Sequence, residues 1–339
     1  MNWVADRFSY PSRGQKSASE IVLNSFILFR PGNRRIKRWR LGLFAGGRAK
    51  TEIRKRLRWL TAPRIPRLAI VFHVQGCGLA NRLRALVGYQ ALATLRKVPF
   101  YLCWRSDPAC PCRFEDLFQT QMNFLKPHDL ERCGPDVSIV HEAAWFDEIW
   151  RCSGQAFEWP AYLEEVHRCL RALIPRPQVQ RIVNEFASRH DLYHALGVHI
   201  RNTDNLAMYA KFTAGPPNFD NHRISSLDGF LDVIRAGIVN RPVFLATDDP
   251  ALERRLLETF PALTVLAKQY MSGQRPTEVT IALAEMLVLG RCEQIVGTYY
   301  SSYSKWSALW GRRPYFEVIG QGCERCDFVD RMLAVFPPS

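Results

Sequence analysis

The sequence predicts an α/β protein built from two Rossmann-like halves that face each other across a cleft. Three observations carry that prediction. Residues 68–104 read as an apolar strand, a glycine turn, a helix and a second strand, which is the βαβ unit of a parallel sheet. A second series of short apolar runs alternating with helical segments starts near Leu196. The stretch between them, residues 105–176, has no clear period and is rich in Pro, Cys and Trp.

The elements follow in order. Residues 68–74 (LAIVFHV) form a continuous apolar strand that Gly76-Cys77-Gly78 interrupts. Residues 81–95 (NRLRALVGYQALATL) carry apolar side chains at helical spacing, and residues 99–104 (PFYLCW) are strand-like. Residues 179–189 read as a helix. In the second half, strands are expected at 196–200, 242–246, 263–267 and 294–297, with helices at 227–236, 250–259, 277–289 and 304–310. No repeat recurs at a solenoid period. The reading divides the chain into a basic arm (1–67), an N-terminal Rossmann-like domain (68–190) and a C-terminal one (191–339).

At 339 residues and 39.1 kDa the chain has room for two domains, and 47% apolar residues suffice for a real core. The net charge of +14 is unevenly placed. Residues 1–68 hold 17 Lys/Arg against three acids, which leaves 29 of each sign in the rest of the chain. The runs NRRIKRWR (33–40) and RKRLRW (54–59) suit a solvated arm or an amphipathic helix packed on the body. Trp39, Leu41 and Phe44 beside the charges make an anionic membrane surface the next reading. A neutral body without RRM, KH or zinc-finger patterns argues against a nucleic-acid binder. The longest apolar run of the arm, 21–29, is too short to span a bilayer, so the expected location is cytoplasmic, with peripheral contact at the inner membrane face. Ten cysteines are read as free thiols rather than a metal site, because Cys110-Pro-Cys112 is one residue too tight for paired zinc spacing, with one local disulfide as the alternative.

Four clusters carry the chemistry, each where a strand ends. GCGLANRLRAL (76–86) places glycines in a strand-to-helix turn, where backbone N–H groups can approach a phosphate, with Asn81 at the third glycine position of a dinucleotide fingerprint. GVHIRNTDN (197–205) ends a strand in His199 and Arg201, which share one side by alternation. A guanidinium fork there suits a phosphate, and an Arg201–Asp204 pair is the structural alternative. In FLATDDP (244–250), Thr247 or Asp248 is expected to cap the next helix, which leaves one carboxylate for a ligand. In GTYYSSYSKW (297–306), Ser301 and Ser302 and the N–H groups of the turn could seat a diphosphate.

Taken in order, these four stretches resemble the α1,6-fucosyltransferase and protein O-fucosyltransferase superfamily, including the bacterial nodulation fucosyltransferases. The resemblance covers residues 68–314. It implies a two-domain GT-B glycosyltransferase that uses GDP-fucose, inverts the anomeric carbon and needs no metal ion or other cofactor. By position, it implies that Arg201 holds the diphosphate, that His199 and Asp248 meet the guanosine, and that Ser301 or Ser302 supplies a phosphate-binding hydroxyl. Gly76, Gly78 and Asn81 would line the cleft from the other half. The expected acceptor is an oligosaccharide or a glycolipid. Two positions depart from the pattern: Asn202 stands where the family often has a second arginine, and Tyr209 where an acid follows in the α1,6-type enzymes. Asp204 is the replacement candidate for the group that takes the acceptor's proton. These departures motivate the alternative of a GDP-sugar-binding protein without transfer activity.

Overall fold

A computed structural model describes residues 68–141, 143–202, 224–268, 270–271, 275–276 and 279–336. All of them belong to one compact unit, Pro63–Ser339. The basic arm, Thr203, Asp204 and Tyr209 lie outside the described residues.

The first sheet holds β1 (Ala69–Val74), β2 (Phe100–Trp104) and β3 (Val137–Val140), all parallel, in the order β2-β1-β3. Every residue of β1 is buried, as a strand covered on both faces must be. Between β1 and β2 runs α1 (Leu79–Leu95), which is buried on nearly every side. It packs on α3 (Phe146–Cys152) and α4 (Trp159–Ala172), and the close approach is made at Gly88. A Cβ there would stand 2.6 Å from Ile149 Cδ1, and the Gly88 carbonyl accepts the Tyr162 hydroxyl at 3.2 Å. A short helix α2 (Phe114–Leu117) precedes β3, and α5 (Pro177–Arg189) leads to the second sheet.

The second sheet has six strands in the order β11-β10-β9-β4-β5-β6. They are β4 (Leu196–Ile200), β5 (Val243–Thr247), β6 (Leu263–Val265), β9 (Gln294–Thr298), β10 (Tyr315–Ile319) and β11 (Gly322–Arg325). All pairings are parallel except the β10–β11 hairpin. A two-residue pairing, β7 (Tyr270–Met271) with β8 (Arg275–Pro276), stands apart. The helices are α6 (Leu227–Asn240), α7 (Pro250–Thr259), α8 (Val279–Leu289), α9 (Ser302–Gly311) and α10 (Asp327–Val335).

One apolar core joins the halves. It runs from Phe72, Leu83 and Leu86 through Phe146 and Tyr162 to Leu289, Trp306 and Leu309. A second cluster, with Val198, Leu245, Phe230 and Ile234, fills the opposite face of the large sheet. Among the described residues no helix is long and apolar enough to cross a membrane.

The strand order sets the places where a ligand can enter. In the first sheet the chain goes from β1 to β2 on one side and to β3 on the other. In the second it goes from β4 to β5 and β6 on one side and to β9 and β10 on the other. The reversals at β1/β3 and β4/β9 send crossovers to opposite faces, which opens a crevice at the carboxyl ends of those strands.

Candidate active site

The crevice at β4/β9 is tied together by the residues just past the strands. The Arg201 N–H donates to Thr298 Oγ1 at 2.9 Å, and that hydroxyl donates to the His199 carbonyl at 3.3 Å. Asn202 reaches the other neighbour, its N–H donating to Asp248 Oδ1 at 2.8 Å and its side-chain amide to Asp249 Oδ2 at 2.7 Å. Asp249, not Thr247 or Asp248, caps α7, with Oδ1 accepting from the Ala251 and Leu252 N–H groups. Burial alone would raise the Asp249 carboxyl, but the Asn202 amide and the cap hydrogen bonds hold it below its ordinary range. Pro250 follows at the first helical position, so Asp-Pro is a sequence signal that could have found this cap.

Beside these contacts lies a cavity of about 520 Å³. Arg201, Asn202 and Thr298 line it from the strand ends, Ser226 from the start of α6, and Asp249 and Arg255 from α7. Ser226 caps α6 by accepting the Gly229 N–H at 3.0 Å. Two arginines and one carboxylate, Asp249, thus border one cavity beside two capped helix starts, and the excess of positive charge favours an anion. Of the residues named from the sequence, the cavity collects Arg201. His199, Asp248, Ser301 and Ser302 are not among its lining residues.

His199 sits beneath the edge, 4% exposed, stacked on Tyr303 with ring centroids 4.8 Å apart. Burial, reinforced by Arg201 and Lys268, lowers its pKa to about 3, so the ring is neutral at physiological pH. The Tyr303 hydroxyl is 3.2 Å from Glu285 Oε2, and Glu285 pairs with Lys268 at 2.7 Å. Lys268 also pairs with Glu253 at 2.6 Å and donates to the Thr247 carbonyl at 3.0 Å. This buried network supports the strand ends from below. The charges lie far apart in the chain, so sequence reading missed it.

The turn after β9 is held equally firmly. The Tyr299 N–H donates to Ser225 Oγ at 2.8 Å, the Tyr300 N–H to Glu317 Oε1 at 3.2 Å, and the Ser301 N–H to the Thr298 carbonyl at 3.1 Å. Those three donors therefore already serve protein acceptors. Tyr300 adopts a left-handed φ of 63°, rare for a bulky residue. Ser301 is buried, and its hydroxyl has no hydrogen-bond partner. Ser302, half-buried, opens α9.

On the first sheet, Gly76 takes a left-handed φ of 71°, which only glycine adopts without strain, and its N–H donates to Asp107 Oδ2 at 2.7 Å. Gly78 starts α1, and space is open where its Cβ would be. Asn81 is half-buried in the first turn. The arginines of this motif are not on the surface. Arg82 is fully buried and binds the Cys77 carbonyl, the Arg105 carbonyl and Asp107 at 2.6–2.7 Å. Arg84, 7% exposed, donates to the Ala143 carbonyl and lies 3.8 Å from the Trp145 ring centroid. Lys305 of α9 is 5.8 Å from the same ring. Helices α1 and α9 therefore approach each other at Trp145. No disulfide joins any of the ten cysteines, and Cys110 and Cys112 Sγ are 3.7 Å apart.

No protein-family model matches the sequence, and neither does any curated protein. Solved structures do match. The NodZ α1,6-fucosyltransferase co-crystallised with GDP aligns with a TM-score of 0.50 at 14% identity, over 76% of this chain and 98% of NodZ. The chain shares the fold of this enzyme. A point mutant of Arabidopsis thaliana FUT1 in complex with GDP aligns with a TM-score of 0.49 at 12% identity, over 81% of this chain and 78% of FUT1. POFUT1 in its apo form aligns with a TM-score of 0.49 at 13% identity, over 76% and 99% respectively. In this fold, the cavity beside Arg201 lies past the ends of β4 and β9, between the starts of α6 and α7.

Proposed function

We propose that the protein is a GT-B glycosyltransferase that transfers fucose from GDP-fucose to an oligosaccharide or glycolipid, with inversion and without a metal ion. Residues 68–190 form the acceptor side and residues 191–339 the donor side. The observation that carries this reading is the cavity where Arg201, Arg255 and the starts of α6 and α7 converge past the ends of β4 and β9. A diphosphate leaving group gains negative charge as the sugar–phosphate bond breaks, and fixed cations and helix ends stabilise that charge without reorganising. Arg201 holds the diphosphate. Asp248 accepts from the N1–H and exocyclic amine of guanine, a donor pair that uracil lacks. Gly78 offers open backbone from the opposite edge, and the basic arm holds the enzyme at an anionic membrane surface.

Calorimetry with GDP, UDP and GDP-fucose, in the presence of a chelator, tests the reading. Guanine-selective, chelator-insensitive binding is expected. Arg201→Ala should weaken it by about 10- to 150-fold, the worth of roughly 1.5–3 kcal/mol for hydrogen bonds to a charged group. Unchanged affinity would remove Arg201 from the site, and no binding of any nucleotide would leave only the fold in common.

One observation favours a second reading, a GDP-sugar-binding protein without transfer. Asn202, in place of a second arginine, is committed to Asp248 and Asp249 and adds no cation. Tight GDP-fucose binding with no GDP release over hours would select it.

A further inference from the structure

The transfer reaction leaves a proton to be placed. An acceptor hydroxyl attacking the anomeric carbon must lose its hydrogen, and Asp204, the sequence's candidate for receiving it, lies outside the described residues. The first sheet offers another group. His73 is the penultimate residue of β1 and His141 directly follows β3, the two strands that flank the switch point of that sheet. Phe72 and Val140 are register partners, so the two histidines stand side by side at the carboxyl edge. Their Nδ1 atoms are 3.1 Å apart and the rings meet edge to face, with centroids at 4.9 Å.

The two rings are placed unequally. His73 is 9% exposed, and its Nε2 is buried without a hydrogen-bond partner, whereas His141 is exposed. Two residues beyond His141, the Ala143 carbonyl accepts Arg84, which lies against Trp145 where α1 and α9 approach each other. The pair therefore stands at the carboxyl edge of the first sheet, two residues from the Ala143–Arg84–Trp145 contact.

We propose that this pair is the acceptor-side base, His141 taking the proton through Nε2 and His73 acting as the positioning residue beneath it. The proposal rests on the glycosyltransferase reading above. With one hydrogen between the Nδ1 atoms, the tautomer in which His141 donates to His73 leaves the lone pair of His141 Nε2 facing outward. As the acceptor oxygen bonds to the anomeric carbon, its proton moves to that lone pair. The carbon–oxygen bond to the β-phosphate breaks, and its electron pair leaves on GDP. The imidazolium keeps its Nδ1–H on His73 and returns the extra proton to solvent.

The surroundings keep His73 neutral near pH 7. Burial lowers its pKa, and the His141 ring and Arg105, at the end of β2, lower it further. Cys103 on β2, Asp129 of the 3₁₀ helix Pro127–Arg132 and Cys133 just after it pack over the same face of the sheet.

Water can stand in for the unidentified acceptor. GDP release from GDP-fucose by the full-length protein, followed from pH 5 to 8.5 beside GDP calorimetry, should rise with pH on an acidic limb. His141→Gln should slow release by about 100-fold or more and flatten that limb, with GDP affinity within twofold of wild type. His73→Phe should slow release with GDP affinity unchanged, because the imidazolium loses its acceptor, and His73→Asn, which can accept in its place, should restore part of the rate; equal loss in both variants would leave a purely structural role. A wild type that binds no GDP overturns the donor reading and this proposal with it. Binding without release at any pH selects the reading without transfer and takes this proposal with it; release untouched by His141→Gln overturns this proposal alone.

Discussion

Arg82→Met would separate support of the glycine turn from ligand binding, and its cost can be worked from the contacts. The Arg82 side chain is fully buried, with bonds of 2.7 Å to the Cys77 carbonyl, 2.6 Å to the Arg105 carbonyl and 2.7 Å to Asp107. Methionine fills much of the same volume but strands two carbonyls and one carboxylate. Breaking a buried pair from one side costs about 3–5 kcal/mol. Asp107 keeps the Gly76 and Ala109 N–H groups and is 14% exposed, which places the cost near the lower end, about 3 kcal/mol. At roughly 2–4 °C per kcal/mol, Tm should fall by about 6–12 °C. The double variant Arg82→Met/Asp107→Leu should recover part of the loss, since it removes the stranded charge. Burial alone would raise the Asp107 carboxyl, but the Gly76 N–H and Arg82 hold it below its ordinary value. Its stabilisation is therefore full above the unfolded pKa, about 3.9, and lost as pH falls through the lower folded value. Arg82→Met should flatten that acid loss. Urea unfolding of the four members of the cycle at pH 7 and in the acid range reads all three effects. A single variant within 1 kcal/mol of wild type, or additive mutations, would refute the account of Arg82 as the clamp of this turn.

Two further outcomes follow from the site's support. His199, with a pKa lowered to about 3 by burial, takes up no proton on the folded side while the unfolded chain does so below about pH 6.5. Stability should be full above that pH and decline by up to about 1.4 kcal/mol per pH unit toward pH 3; His199→Phe, which keeps the stack on Tyr303, should lessen the slope in urea titrations, and an unchanged slope would contradict a neutral buried ring. Lys268→Met leaves Glu285 and Glu253 without their shared cation and should cost about 3–5 kcal/mol, with Lys268→Met/Glu285→Gln recovering a measurable part. Equal stability of the single and double variants would show that the triad is not coupled.

Much of the fold was legible because strands buried on both faces leave continuous apolar runs. LAIVFHV and the runs at β4, β5 and β9 fall within a residue or two of the observed strands. The middle was not legible. β3 is only VSIV, half-buried at every position, and offers neither an apolar run nor clean alternation. α4 opens with Trp159-Pro160, which reads as a break although proline is tolerated in the first helical turn. The site divided in the same way. Arg201 was visible as a cation at a strand end. The capping role fell to Asp249, because the choice between adjacent acids depends on backbone direction at the end of β5.

The sequence by itself determined the βα order, the basic bias of residues 1–68 and the placement of polar clusters after strands, since each is a property of neighbouring residues. Tertiary structure decided what those clusters are for. It sent Arg82 and Arg84 inward, buried His199 under Tyr303, engaged the N–H groups of Tyr299 and Tyr300, and set His73 beside His141. The physical reason is strand order. Parallel strands adjacent in space are far apart in sequence, so the partner that satisfies a buried donor or neutralises a buried charge cannot be read from nearby residues.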